Sequence, residues 1–172
     1  MTRSPRASRR RVIVAALALA LLAPSASAAA EPAPPAPATA APTPGADLAR
    51  VVFARAAHEV PVAVEVCRTE LAERVGYMLR LYVPPYSGML FMMPTERVQA
   101  FWMHNTVAAL DMIFVDRQRT VVGIVHRAPP LTEELRYVHR PSAFVIEVAS
   151  GFARQAGIQV GDTVRFENIP GL

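Results

Sequence analysis

The chain has 172 residues, of which 52% are hydrophobic, and a formal net charge of +4. Five of its 18 Arg lie within the first 11 residues, so removal of the N-terminal segment leaves 13 Arg against 14 Asp and Glu, a net charge of −1. A nearly neutral remainder lacks the basic surface that nucleic acids require, and we expect no nucleic-acid partner.

The first 30 residues have the pattern of a secretory signal peptide. Arg9, Arg10 and Arg11 precede the apolar run Val12–Ala23, and small residues offer cleavage sites near residues 28–30. Twelve apolar residues are fewer than the ~20 that a membrane-spanning helix needs. We predict export to the periplasm or the extracellular space. The alternative is an uncleaved anchor, in which case this segment makes the only membrane contact.

Residues 31–45 (EPAPPAPATAAPTPG) are predicted to form a linker, because six prolines in 15 residues prevent both helix and sheet. The remaining residues, 46–172, are predicted to form a single β-rich domain, which is large enough to bury a core without disulfides. Cys67 is the one Cys of the chain. Its position at the end of an apolar strand favours burial over pairing between chains.

Short apolar runs separated by Gly, Pro and polar residues predict strands. They are Val62–Cys67, Met89–Met93, Val98–Met103, Leu110–Val115, Val121–His126, Ala143–Val148 and Thr163–Phe166, with Val51–Phe53 as a further candidate. Residues 116–120 are short and polar and predict a hairpin, whereas residues 128–141 predict a long loop.

Two brief helices are also expected. Thr69 is a suitable N-cap for a helix over Glu70–Val75, which Gly76 would end, and Gly151–Gly157 predicts one or two helical turns. Many short strands with one or two short helices indicate a mainly β fold, a compact antiparallel sandwich or barrel.

Several motifs in order resemble a bacterial and archaeal family known as domain of unknown function 192. They span Val60–Phe166 and comprise Gly76-Tyr77-Met78 with Arg80, Gly88–Phe91, Phe101–Thr106, Leu110–Phe114, Ala128–Pro130, Val145–Glu147 and Gly151 with Gly157–Asp162. Tyr77 stands where the family pattern has Leu, and His104 where it has Lys. The resemblance implies a compact, mainly β domain, often preceded by a signal peptide. It supplies no catalytic residues, because no activity is established for the family.

A polar turn follows the predicted strand that contains the only Trp of the chain, Trp102. Asn105 and Thr106 are ordinary turn formers whose side chains bond the local backbone, and this structural interpretation is favoured. The functional interpretation is that Trp102 forms a flat stacking wall beside polar groups of His104, Asn105 and Thr106. Small-ligand pockets have this composition.

Asp111 and Glu147 each stand alone in an otherwise apolar strand. A buried carboxylate must be paired or hydrogen-bonded, so Arg80, His104 and the Asn105-Thr106 backbone are candidate partners. A structural clamp is the favoured interpretation. The sharper hypothesis is an acid with a perturbed pKa beside a cleft.

Six methionines lie within 35 residues: Met78, Met89, Met92, Met93, Met103 and Met112. With His104, His126 and His139 they include the soft ligands that suit Cu(I). Core packing explains Met on apolar strands more simply, so binding of a soft metal such as copper through Met and His is kept as an alternative function, and no cofactor is expected.

The preferred function is an exported ligand-binding or interaction module. Its partner would be a small molecule or an envelope protein, and its candidate site comprises Arg80, Trp102, His104, Asn105, Thr106, Asp111 and Glu147. The alternative is a small hydrolase that uses Asp111 or Glu147. No recognisable catalytic motif accompanies either carboxylate.

Overall fold

The structure is a computed structural model that describes residues 48–172, and these contain nine β-strands and two short helices. In chain order the elements are β1 (Arg50–Arg55), β2 (His58–Cys67), α1 (Glu70–Val75), β3 (Ser87–Arg97), β4 (Ala100–Phe101), β5 (Leu110–Val115), β6 (Val121–Ala128), β7 (Arg136–Tyr137), β8 (Ser142–Ala149), α2 (Phe152–Gln155) and β9 (Thr163–Glu167). The predicted signal peptide and linker lie outside the described residues. Within residues 48–172, neither helix is long and apolar enough to span a bilayer.

Seven strands form one sheet in the order β6-β5-β8-β3-β2-β1-β9. Neighbouring strands are antiparallel, except that β2 and β3 run parallel. The edges of the sheet approach each other, because Thr120 forms a β-bridge with Thr163 and the Val121 N–H donates to the Asp162 carbonyl at 2.9 Å. The sheet is therefore curled into a half-barrel, and the predicted mainly β fold is confirmed.

Two apolar clusters cover opposite faces of this sheet. The first cluster includes Val51, Phe53, Val62, Leu90, Ile113, Ile146, Val148 and Phe152. The second cluster includes Cys67, Tyr77, Met89, Phe91, Met103, Leu110, Met112, Phe114 and Val145. Side chains alternate between faces along a strand. Asp111 therefore shares the face of Ile113, and Glu147 shares the opposite face with Val145.

Helix α1 has the bounds and caps that the sequence predicts. The Ala72 N–H donates to Thr69 Oγ1 at 3.1 Å, and Gly76 ends the helix with a φ of 43°. This left-handed φ suits glycine, because a side chain there would be strained. A Cβ atom at Gly76 would also lie 3.3 Å from Cζ of Phe91. The end of α1 therefore packs closely on β3.

Strand β3 is longer than the expected Met89–Met93 and passes through Pro94 to Arg97. Its pairing with β8 is irregular between Met92 and Arg97. A proline is tolerated at such an irregularity, since its missing N–H interrupts no regular ladder.

The expected strand Val98–Met103 is shorter in the structure, where β4 contains only Ala100 and Phe101. These residues pair with β7, which lies inside the segment expected to be a loop. The Met103 N–H donates to the Thr132 carbonyl at 3.0 Å, which ends the ladder and starts the turn.

Gly123 allows the segment after β7 to lie directly on β6, and this contact provides a test of the packing. A Cβ atom at Gly123 would lie 2.5 Å from Cγ1 of Val138. We expect Gly123→Ala to lower the free energy of unfolding by roughly 1–3 kcal/mol because of overpacking. Urea denaturation measures this cost. In a Val138→Gly background the same change should cost less than about 0.5 kcal/mol, and an equal cost in both backgrounds would contradict the packing.

Candidate functional site

A cleft of about 250 Å³ opens on the face of the sheet that carries the second cluster. Residues of β3 and β8 lie beneath it, α1 and the residues that follow form one side, and β4 with the turn after it forms the other. Its lining includes Tyr77, Phe91, Phe101, Trp102, Thr106 and Glu147. We call it the Glu147 cleft.

Glu147 lies in the central strand β8, between Met89 of β3 and Met112 of β5. Its side chain lines the cleft, although the residue is only 4% exposed. Within residues 48–172, its carboxyl group has neither a hydrogen bond nor an ion pair. Burial raises the pKa of Glu147 to about 8. The group is therefore mainly protonated at neutral pH.

Two further ionisable groups lie near Glu147. Burial first, and then the negative charge of Glu147, raises the pKa of the Cys67 thiol to about 12 and also raises the pKa of the Tyr77 phenol. Both groups stay protonated at neutral pH, so the Cys67 thiol is a poor nucleophile. The expected burial of Cys67 is confirmed.

Aromatic rings form much of the cleft wall. The rings of Phe91 and Phe101 meet edge to face with centroids 5.1 Å apart, and Phe101 meets Phe114 in the same way at 6.2 Å. Trp102 is 49% exposed and stacks on the His104 ring at 5.0 Å. The indole is therefore held at the mouth of the cleft with one face supported.

The turn after Trp102 is held by backbone groups and by the Thr106 side chain, whereas the Asn105 side chain forms no hydrogen bond within residues 48–172. The Thr106 N–H donates to the Met103 carbonyl at 3.1 Å, and Thr106 Oγ1 donates to the His104 carbonyl at 3.2 Å. Asn105 adopts a left-handed φ of 52°, which Asn tolerates better than most residues. His104 Nδ1 lies 2.6 Å from Glu133 Oε1. His104 and Thr106 line the cleft, whereas Asn105 lies outside its lining.

Four charged residues complete the rim of the cleft: Glu70, Glu73 and Arg74 of α1, and Arg97 at the end of β3. All four are exposed or half-buried. Two carboxylates and two guanidinium groups balance, so the rim carries no net charge.

Asp111 lies outside the Glu147 cleft, on the opposite face of the sheet. It is completely buried, and its carboxylate accepts hydrogen bonds from the backbone N–H groups of Arg127 at 2.7 Å, Gly151 at 3.0 Å and Ala153 at 3.0 Å. His126 Nδ1 lies 3.8 Å from Asp111 Oδ2. The expectation that Arg80, His104 or the backbone at 105–106 would pair with Asp111 is therefore wrong. Backbone amides of β6 and α2 satisfy it, which is the favoured structural clamp.

Arg80 also lies outside the lining of the Glu147 cleft. Its Nη2 donates to Glu65 Oε2 at 2.7 Å, and this hydrogen bond lowers the pKa of Glu65. The guanidinium carbon lies 5.4 Å from the centroid of the Tyr77 ring. Arg80 therefore supports Tyr77, which is the residue that lines the cleft.

The methionines contribute mainly to packing. Met89, Met103 and Met112 are buried in the second cluster, and Met92 packs against the first. Residues 48–172 contain no group of three His, Cys, Asp or Glu side chains arranged to hold a metal ion. Flexible apolar filling accounts for these Met positions.

Sequence reasoning identified Trp102 and Glu147 but did not connect Tyr77, Phe91 and Phe101 with them. A signal existed for Tyr77, because an aromatic residue there departs from the Leu of the family pattern. The sequence did not indicate that the charged residues of the rim lie beside a cleft, because charged residues on a short helix ordinarily face solvent.

The comparisons with known proteins agree with the sequence resemblance. The model of the family DUF192, described as "Uncharacterized ACR", matches residues 51–166. A protein of unknown function from Novosphingobium aromaticivorans is 31% identical, with a TM-score of 0.66 over 73% of this chain and 89% of its own. A Sinorhizobium meliloti protein, provisionally described as a transcription regulator, is 29% identical, with a TM-score of 0.63 over 70% of this chain and 95% of its own. No curated protein matches the chain.

The three hydrogen bonds to Asp111 predict a structural effect of its replacement. In Asp111→Asn, an NH₂ group would replace one carboxylate oxygen. It cannot accept a hydrogen bond from the backbone N–H groups that face it, so we expect the free energy of unfolding to fall by about 3 kcal/mol. Urea denaturation measures this loss. The control Glu134→Gln alters an exposed carboxylate that is ion-paired with Arg136, and it should cost less than about 1 kcal/mol. An Asp111→Asn protein as stable as the wild type would refute the clamp.

The raised pKa of Glu147 predicts how stability depends on pH. The group keeps its proton up to a pKa of about 8 when folded, against 4.5 when unfolded. The contribution of this group to the free energy of unfolding is therefore complete below pH 4.5. It is lost as pH rises towards 8, because the unfolded state releases the proton that the folded state keeps. Relative to wild type, Glu147→Gln should gain about 1 kcal/mol per pH unit between pH 5 and pH 8. Denaturation series for both proteins measure this difference, and a difference that does not change with pH would contradict burial of an unpaired carboxyl group.

Proposed function

The chain belongs to the DUF192 family, and we propose that its β domain is a small-molecule binding module whose site is the Glu147 cleft. One observation carries the proposal. An almost completely buried carboxyl group lines a cleft and lacks a partner among the described residues. The site is thus centred on Trp102 and Glu147, without Asp111.

Burial of a carboxyl group that forms no hydrogen bond is costly. The same fold satisfies Asp111 with three backbone amides, so its strands are able to neutralise such a cost. Glu147 receives no comparable donors. A bound ligand could supply the hydrogen-bond donor or the positive charge that the described part of the chain does not give to Glu147.

The composition of the cleft also supports a small-molecule ligand. Ligand sites are typically concave and largely apolar, with a few placed polar groups. The Glu147 cleft combines the rings of Phe91, Phe101 and Trp102 with polar groups of Thr106 and Glu147. A concave site favours a small molecule over an envelope protein as the partner.

We further propose that this domain acts outside the cytoplasm. The support is the sequence of the first 30 residues, with Arg9–Arg11, the apolar run Val12–Ala23 and small residues near 28–30. The Sinorhizobium protein is provisionally described as a transcription regulator, but the charge of −1 that this chain keeps after signal removal does not favour DNA binding.

A hydrolase is the second candidate, and only Glu147 now supports it. A carboxyl group with a pKa of about 8 in a cleft is suited to general acid or base catalysis. Cys67 and Tyr77 are protonated and offer no nucleophile, so water would have to take that role. A hydrolase would convert its ligand into products, whereas a binding module returns it unchanged.

Trp102 provides a direct reporter for the proposed site because it is the only Trp. We expect at least one compound from a panel of amines, amino acids, carboxylic acids and sugars to change its fluorescence saturably. Glu147→Gln should weaken this binding tenfold or more, a loss of about 1.4 kcal/mol. The control Glu134→Gln, which alters an exposed carboxylate outside the cleft, should leave it unchanged. Binding that is equally strong in all three proteins would place the ligand elsewhere, and no saturable response to any compound would count against the proposed function.

A further inference from the structure

We propose that the ligand of the Glu147 cleft carries a small organic cation, an ammonium or guanidinium group, which pairs with the Glu147 carboxylate beneath the aromatic walls. This inference rests on the proposed function and specifies the ligand class. It follows from the balance of charge in the cleft, from the lack of an internal counterion and from the aromatic lining.

The charges of the rim cancel, whereas an ionised Glu147 would have no opposite charge to cancel it. Glu70 and Glu73 offset Arg74 and Arg97. His104 is already paired with Glu133 at 2.6 Å. Glu147 is thus the one carboxyl group of the lining whose ionised form would lack an opposite charge, and a ligand with a single positive charge would supply it.

The described part of the chain provides no cation close to Glu147. Arg80, on the other side of Tyr77, is bound to Glu65. Arg74 and Arg97 stay at the rim, and burial is the cause of the raised pKa of Glu147, with no opposing effect from either guanidinium group. A cation that enters the cleft could therefore pair with the Glu147 carboxylate without displacing another positive group.

The walls of the cleft suit a positive charge. The faces of aromatic rings attract cations, with gains of about 0.5–2 kcal/mol per contact, and Trp is the best of them. Tyr77, Phe91, Phe101 and Trp102 all line the cleft. An organic cation could lie against these rings while its charged end reaches Glu147, whereas a hydrated metal ion would leave the apolar walls without a contact.

Entry of the cation would release one proton. A nearby positive charge favours the ionised form of a carboxyl group, so Glu147 would lose its proton to solvent as the ion pair forms. The other groups that face it are the Cys67 thiol of β2, the Tyr77 phenol and the thioethers of Met89 and Met112, and none of them titrates near neutral pH. His104 also lines the cleft, and its Nδ1 lies 2.6 Å from Glu133 Oε1.

The test compares benzylguanidinium, which stays charged as the Arg side chain does, with its neutral analogue benzylurea. Binding of each probe to the full chain is measured by Trp102 fluorescence and calorimetry between pH 6 and pH 8, in buffers of different ionisation enthalpy. With a pKa of about 8, the ionised fraction of Glu147 is about 0.01 at pH 6 and about 0.5 at pH 8. Benzylguanidinium should therefore bind about 50-fold more tightly at pH 8 than at pH 6. At pH 7 its binding should release about 0.9 proton from Glu147.

Three results would support the inference: this pH dependence in the wild type, its loss in Glu147→Gln, and weaker binding of benzylurea. Benzylurea binding that equals or exceeds that of benzylguanidinium would overturn the cation while leaving the ligand-binding function in place. A pH dependence retained in Glu147→Gln would show that another group causes it and would also overturn the inference. Failure of both probes to bind at any pH would do the same, and the fluorescence panel would then decide the proposed function independently.

Discussion

The structure buries Glu147 at the base of a cleft and gives its carboxyl group neither a hydrogen bond nor an ion pair among the described residues, which is costly. The strands, the helix and the cleft around Glu147 all determine which groups can reach this carboxyl group. Strand β8 is central and buried on both faces, so Glu147 cannot turn outwards without breaking the pairing with β3 and β5. Gly76 at the end of α1 packs closely on Phe91 and lies near the same carboxyl group. A Cβ atom at Gly76 would lie 3.8 Å from Glu147 Oε2. The cleft is the one direction from which polar contact can reach it.

Asp111 and Glu147 show that one sequence signal can have two structural outcomes. Each is a lone acid in an apolar strand. Asp111 is adjacent to the start of α2 and to β6, whose backbone amides converge on it, and its charge serves to join these elements. Glu147 faces side chains rather than free amides. The difference arises from contacts between residues that are far apart in the sequence, so local pattern could not distinguish the two acids.

The sequence predicted the local elements better than the site. Helix α1 and strand β5 have their expected bounds because capping by Thr69 and the apolar run Leu110–Val115 are local signals. The parallel pairing of β2 with β3 and the approach of β6 to β9 depend on long-range packing, which has no local signature. For the same reason, Trp102 and Glu147 were identified as unusual residues, but the face on which each lies became clear only from the strand register.

The ionisation of Glu147 is the most direct test of whether its carboxyl group is buried without a partner. Carbon-13 NMR of the Glu side-chain carboxyl groups, with the Glu147 signal assigned by its absence in Glu147→Gln, would follow this titration in the unliganded protein. Burial of the carboxyl group without a partner predicts a midpoint near pH 8 for this signal. A midpoint near the ordinary value of 4.5 would contradict it, because the carboxyl group would then be hydrated or paired.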